Sequence, residues 1–472
     1  LGTIVFGLLL VMIYAAFVYG YSRLKTRKGK NILTLAVAAV VLFETGYNCY
    51  DSFRKIFLEV GNSDKSTYTE ILEAPKLVEQ LEEYDGSFYR AEKTYDRMVN
   101  DNLAYGLKGI THSSSVMNTR AIKLLEAMGY VTQSFESQYE GNSTLADSLL
   151  GIKYVLDNPT DSKNINAEYI KRYTTTSIKN DNEEYTVDVY ENPYALSVGF
   201  MADDDILRLG HLGNDNTFNS LNNFLSALLG KTQFIQNPDG TIGLAPEEYY
   251  ELIDLSNNFE LAVDPFASDD PYASTSNGQI RGRIYNHTDA KGNIIPHYCF
   301  DAEPNAIDPV VNIHFTAVND GDVYLRIDSD LRRKCNLWIS NTVDENGNFS
   351  GHKEYGQYFE DNTTPLVRIG PFKTGEKVEV RLRILEQEGM SSFTGQNEYV
   401  MFKVNGGFTL YSFNSPKFQN DIVALQENPW VIDMDKSNDR YLEGKVTARE
   451  GQILMTSIPY EPGWTIKVDG KK

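Results

Sequence analysis

At 472 residues the chain is longer than one ordinary domain and fits two or three. Its formal net charge of −21 repels phosphate backbones and excludes nucleic acid as a partner. Three far-apart cysteines (Cys49, Cys299 and Cys335), no CxxC spacing and six histidines speak against a disulfide framework or a zinc site. Free thiols are the expectation, and a single Cys299–Cys335 bridge stays open.

Residues 1–22, LGTIVFGLLLVMIYAAFVYGYS, carry no charge, and residues 31–50, NILTLAVAAVVLFETGYNCY, carry one. At 1.5 Å per residue, about 20 residues cross the roughly 30 Å of bilayer hydrocarbon, so both are expected to be transmembrane helices. The loop between them, RLKTRKGK over 23–30, is short and basic. The positive-inside rule makes it cytoplasmic and everything after about residue 51 extracytoplasmic. The first 50 residues carry a net of +4, which leaves −25 on the rest. Leu1 already lies in apolar sequence, which argues against a signal peptide and reads as a position within a longer run of membrane helices. Glu44 falls inside the second helix. An ionisable group there is a functional candidate, and snorkelling to the headgroups explains it equally well.

Residues 51–74 read as an exit helix and linker. PKLVEQLEEY (75–84) has helical spacing with Pro75 at its first position. SFYRAEKTY (87–95) alternates as a strand, and DNLAYGLKGITHSSS (101–115) reads as a long loop. VMNTRAIKLLEAMGY (116–130) is an amphipathic helix with Gly129 placed to end it. ADSLLGIKYVLDNP (146–159) runs from helix to strand, and EEYTVDVYENPYALSVGFMAD (183–203) gives two strands around Asn-Pro. NDNTFNSLNNFLSALLG (214–230) is a helix capped by Asn or Asp. Past a Pro/Ser/Asp/Gly-rich boundary the chain from about 280 is a series of short strands with turn signals. The expected fold class is therefore multidomain: two transmembrane α-helices, an extracytoplasmic α/β or α+β domain over 75–265, and a β-sandwich or jelly-roll-like domain over 280–472. At the C-terminus Trp464, Ile466 and Val468 alternate with Thr465, Lys467 and Asp469. A half-buried last strand with Trp464 as a core anchor is expected, and Asp469-Gly470 is a hairpin corner that points to further chain.

No nucleophile elbow, P-loop, HExxH or EF-hand loop occurs. Asp203, Asp204 and Asp205 cluster, but without the alternation of a calcium loop they read as a solvated acidic turn, and no metal is expected. Arg90 is basic in an acidic protein and stands near a loop with Asn102 and Tyr105. Such residues hold sugars or phosphates, although an Arg90–Glu92 surface pair accounts for the same charges. Lys153 and Tyr154 sit at a helix-to-strand corner, where Lys153 meets an anionic ligand or caps the helix.

In order and spacing, FYRAEK, DNLAYGLKGITHSSS, DSLLGIKYVL, YENPYALSVGF and IPYEPGWTIKVDG resemble the bacterial YfhO family of membrane proteins. The likeness is strongest at 87–155, 190–200 and 453–470. A Leu-Pro step of the family is replaced by Leu196-Ser197. The resemblance implies a polytopic GT-C-type glycosyltransferase that moves a sugar from a polyprenyl-phosphate carrier to a cell-wall polymer such as teichoic or lipoteichoic acid. No cofactor beyond the lipid-linked sugar is implied. Such enzymes carry the catalytic carboxylate in an early outer loop that these residues do not match, so no catalytic residue is carried over. Arg90, Asn102, Tyr105, Lys153 and Tyr154 are the substrate-binding candidates, with Arg90 and Lys153 placed to face a leaving phosphate. The competing expectation is a membrane-anchored carbohydrate- or wall-binding protein without transfer activity.

Overall fold

The computed structural model describes residues 2–59, 74–95, 98–160, 165–178, 184–210, 216–236, 238, 242–253, 259–262, 282–288, 292–301, 310–327, 335–358, 366–384, 398–403, 408–438 and 440–471. Contacts divide the chain into two units. The first is residues 1–69 with 180–182, and the second is 70–179 with 183–472.

In the first unit α1 (Gly2–Arg23) and α2 (Arg27–Glu59) are the two long apolar helices, joined at the basic loop. Their stretches Val5–Arg23 and Arg27–Ile56 are long and apolar enough to cross a membrane. Helix α2 has 33 residues and so measures about 50 Å, well beyond a bilayer's hydrocarbon. It runs past residue 50 to Glu59 as the expected exit helix, and its last turns carry the pair Asp51–Lys55 at 2.7 Å.

The second unit opens with α3 (Pro75–Tyr84) and β1 (Arg90–Lys93), then α4 (Asp101–Tyr105), a short helix inside the expected loop. Next come α5 (Thr119–Ala127), α6 (Thr144–Leu150), β2 (Ile152–Asp157), β3 (Ile170–Ile178) and β4 (Glu184–Glu191). After β5 (Gly199–Asp203) and α7 (Thr217–Leu228) the chain becomes strand-rich. Side-chain caps start the helices: Asn118 accepts from Arg120 and Ala121 N–H, Ser143 from Ala146, and Asn216 from Asn219. Gly151, at φ 72°, ends α6 in the left-handed turn that suits glycine.

The first sheet has the order β1-β2-β4-β3, with β1 and β2 parallel and the remaining pairs antiparallel. It is covered on both faces. Leu77 and Leu81 of α3 cluster with Tyr154, Leu156, Val187 and Val189, while Val155 and Ile152 face the helices. Two larger antiparallel sheets follow. One joins β6 (Tyr250–Ile253), β9 (Gly321–Ile327), β12 (Leu366–Phe372) and β14 (Phe408–Phe413). The other joins β7 (Phe259–Ala262), β8 (Val310–Thr316), β10 (Cys335–Ser340), β11 (Lys353–Tyr358) and β13 (Lys377–Ile384). Cys299 belongs to a separate three-stranded sheet, apart from the sheet of Cys335, and the side chains of both lie outside the described residues. The strand-rich region thus consists of several small sheets, with no closed barrel among the described residues.

Contacts cross the expected parting at 265–280. β6 pairs with β14, and one core holds Phe218 and Leu221 of α7 beside Tyr324, Tyr411 and Phe413. Fully buried Asp322 accepts from Arg368 Nη1 at 2.8 Å and from the Ala167 amide at 3.3 Å. After α8 (Ser415–Gln426) the last strand, β15 (Gln452–Thr456), returns to pair with β5.

Beyond β15 the structure corrects one expectation. Trp464 is 40% exposed, with Ile466 at 77% and Val468 at 69%, so Trp464 is not a core anchor. Alternation marks a strand face, but burial needs a neighbouring strand, and this segment joins no sheet. The Asp469-Gly470 corner itself forms. Both residues have positive φ, and Val468 and Lys471 exchange amide hydrogen bonds at 2.9 Å.

Candidate functional site

Strand β1 reads Arg-Ala-Glu-Lys, three charges in four residues at the edge of the core. Alternation sends Arg90 and Glu92 to one face and Ala91 and Lys93 to the other. Glu92 and Lys93 are almost wholly buried. Unpaired charges there would cost several kcal/mol each, and both find partners on the segment that follows the strand.

Arg90 donates through Nη1 to Leu150 O at 2.5 Å and to Ser457 Oγ at 2.6 Å, and through Nη2 to Ser457 O at 3.1 Å. Burial lowers its pKa to about 10, so it keeps its charge at neutral pH. Glu92 accepts from Asn102 Nδ2 at 3.0 Å, Thr111 N at 2.8 Å, Thr111 Oγ1 at 3.0 Å and Ile110 N. Burial raises its pKa against the pull of those hydrogen bonds. Lys93 Nζ meets Asp101 Oδ2 at 3.1 Å and Tyr95 O at 3.2 Å, and lies 4.6 Å from the centre of the Tyr105 ring. The loop reaches Glu92 so closely that a Cβ on Gly109 would stand 2.2 Å from Glu92 Oε1 and 2.4 Å from Asn102 Nδ2.

On the adjacent strand, Lys153 Nζ meets Asp85 Oδ2 at 2.6 Å and Tyr154 OH donates to the same oxygen at 2.9 Å. Burial works against the Asp85 charge, yet bonds from Lys153, Ser87 and Tyr154 hold it below the usual carboxylate range. Because Asp85 follows the last turn of α3, this cluster fixes the helix to the sheet. All five substrate-binding candidates therefore gather around the β1–β2 pair. Arg90, Asn102, Lys153 and Tyr154 have hydrogen-bond partners within the chain, and Tyr105 lies under Lys93. The arrangement holds loops 98–118 and the C-terminal segment in place; its charges are spent inside the unit.

Glu44 belongs to the first unit, where Tyr14 OH of α1 donates to it. Two clusters had no signal in the sequence because their members come from distant segments. Fully buried Asp147 accepts from Tyr130 at 2.5 Å, Tyr139 at 2.6 Å and Tyr169, and burial pushes its pKa up to about 6. Glu379 is met by His314, by His352 at 2.5 Å and by Arg381 at 2.8 Å. The Asp203–Asp205 group brings three carboxylates together, and there Asp203 caps the Asp205 amide at 3.0 Å.

The family model described as "Bacterial membrane protein YfhO" matches residues 1–472. No curated protein matches the chain. Among solved structures, the enzymatically active domain of bacteriophage CBA120 tailspike protein 4 is 9% identical, covering 33% of this chain and 19% of that one, with a TM-score of 0.18. A family 35 carbohydrate binding module from Clostridium thermocellum is 10% identical, covering 34% of this chain and 96% of that one, with a TM-score of 0.17. The infectious bursal disease virus VP2 subviral particle is 9% identical, covering 60% and 79%, with a TM-score of 0.16. At these scores the structural likenesses carry no argument.

Proposed function

Because the chain belongs to the bacterial YfhO family of membrane proteins, we propose that it is part of a membrane glycosyltransferase. The enzyme takes a sugar from a polyprenyl-phosphate carrier and transfers it to an outer cell-wall polymer such as teichoic or lipoteichoic acid. The observation that carries this reading is the family match over the whole chain, on residues that combine two membrane-length apolar helices with a large strand-rich unit. The basic loop at 23–30 orients the helices so that this unit is extracytoplasmic.

Inverting transfer needs a base for the acceptor hydroxyl and positive charge for the leaving phosphate. No residue of this chain is assigned as the base. Arg90 and Lys153, bound to Ser457 and Asp85, serve the reaction by fixing the loops that bear on the substrates. A second reading is a membrane-anchored carbohydrate-binding protein without turnover. It draws on the same observation that the charges around β1 are internally committed. Deleting the full gene and measuring sugar on the wall polymers tests the first reading: glycosylation should fall, and unchanged content overturns it.

A further inference from the structure

The segment from Ser457 to Lys471 closes the described part of the second unit without joining a sheet, and it is fixed near its start. Arg90 holds Ser457, and the Ser457 amide donates to Val198 O at 2.9 Å. Asn118 Nδ2 then donates to Tyr460 O at 3.0 Å and to Glu461 Oε1 at 2.7 Å. From there onward large apolar side chains stand in solvent: Tyr460 is 65% exposed, with Trp464, Ile466 and Val468 as given above. In the loop that receives the segment, Val116 is 90% exposed. Soluble surfaces rarely leave such a concentration of apolar side chains uncovered.

The chemistry of the segment selects its partner. Residues 464–472 carry Lys467, Lys471 and Lys472 against Asp469, a positive stretch in a chain of net charge −21. Aromatic rings, branched aliphatics and lysines together suit the boundary of an anionic bilayer. The rings settle at headgroup level, the aliphatics reach the acyl chains, and the ammonium groups meet lipid phosphates. A sugar polymer would use Tyr460 and Trp464 but gain nothing from Ile466 and Val468. A bilayer is also at hand, because the same polypeptide holds two membrane-length helices and the tether raises its effective concentration. We propose that Tyr460, Trp464, Ile466 and Val468 form an anchor that seats on the interface of an anionic membrane. The inference does not depend on the transferase reading.

The test uses the full chain in nanodiscs of phosphatidylcholine and phosphatidylglycerol, with lipids brominated near the top of the acyl chain as quencher. The anchor predicts that bromolipid quenches a share of the tryptophan emission that disappears in Trp464→Phe. The exposed pair Ile466→Ser and Val468→Ser should cut that share by roughly twofold. Emission from buried Trp338 controls for folding. Equal quenching of the native protein and Trp464→Phe overturns the proposal. Emission from Trp464 that ignores bromolipid but is shielded by added wall polymer also overturns it, in favour of a polymer-binding surface.

Discussion

Arg90 and Ser457 lie 367 positions apart, and the guanidinium donates to the serine hydroxyl at 2.6 Å and to its carbonyl at 3.1 Å. This contact fastens the C-terminal segment to the first strand of the second unit. Arg90→Ala should remove about 2–4 kcal/mol of local stability, since a buried charge-assisted network is lost. Hydrogen exchange at the Ser457 amide should accelerate while exchange at β4 stays slow. Uniform acceleration across the unit would contradict the local role.

Gly109 is required by space. Gly109→Ala places a methyl against Glu92 and Asn102 and should destabilise the unit by about 1–3 kcal/mol. Gly86→Ala, which meets nothing within 4 Å, is the control. Equal urea midpoints for the two variants would refute the packing around Glu92.

Asp147 gives a pH signature. Its folded pKa of about 6 lies above the ordinary 3.8, so between these values the folded state holds a proton that the unfolded chain has released. Its contribution is full below 3.8 and is lost as pH rises through about 6. Relative to Asp147→Asn, the native protein should lose about 3 kcal/mol across that window. A difference in urea midpoints that stays constant with pH would show that burial does not hold the proton on Asp147.

Tyr14 and Glu44 join α1 to α2. A double-mutant cycle with Tyr14→Phe and Glu44→Leu, read as helix-pair stability in bilayers, should return about 1 kcal/mol of coupling. Zero coupling would leave the two residues acting separately.

Local signals carried far in this sequence. The helix end at Gly129 with its positive φ, the Asn216 cap and the Asp469-Gly470 corner each depend on a few neighbouring residues, and all form. Arg90, Asn102, Lys153 and Tyr154 stood out by residue type, but the β1–β2 pairing that brings them together has no local signal. What stayed hidden depends on distant partners. Nothing near Arg90 announces Ser457, and nothing near Asp147 announces Tyr130 and Tyr169. Trp464 failed for the same reason, because its alternation described a strand face and none of the described strands pairs with it.

The central claim, transfer of a lipid-linked sugar, is tested most directly with the purified full-length protein in anionic vesicles. A polyprenyl-phosphate-linked radiolabelled sugar is the donor and (lipo)teichoic acid the acceptor, and the label reaching the polymer is measured over time. Label should reach the polymer with many turnovers per protein. Polymer binding without any label transfer would contradict it and leave the carbohydrate-binding reading in its place.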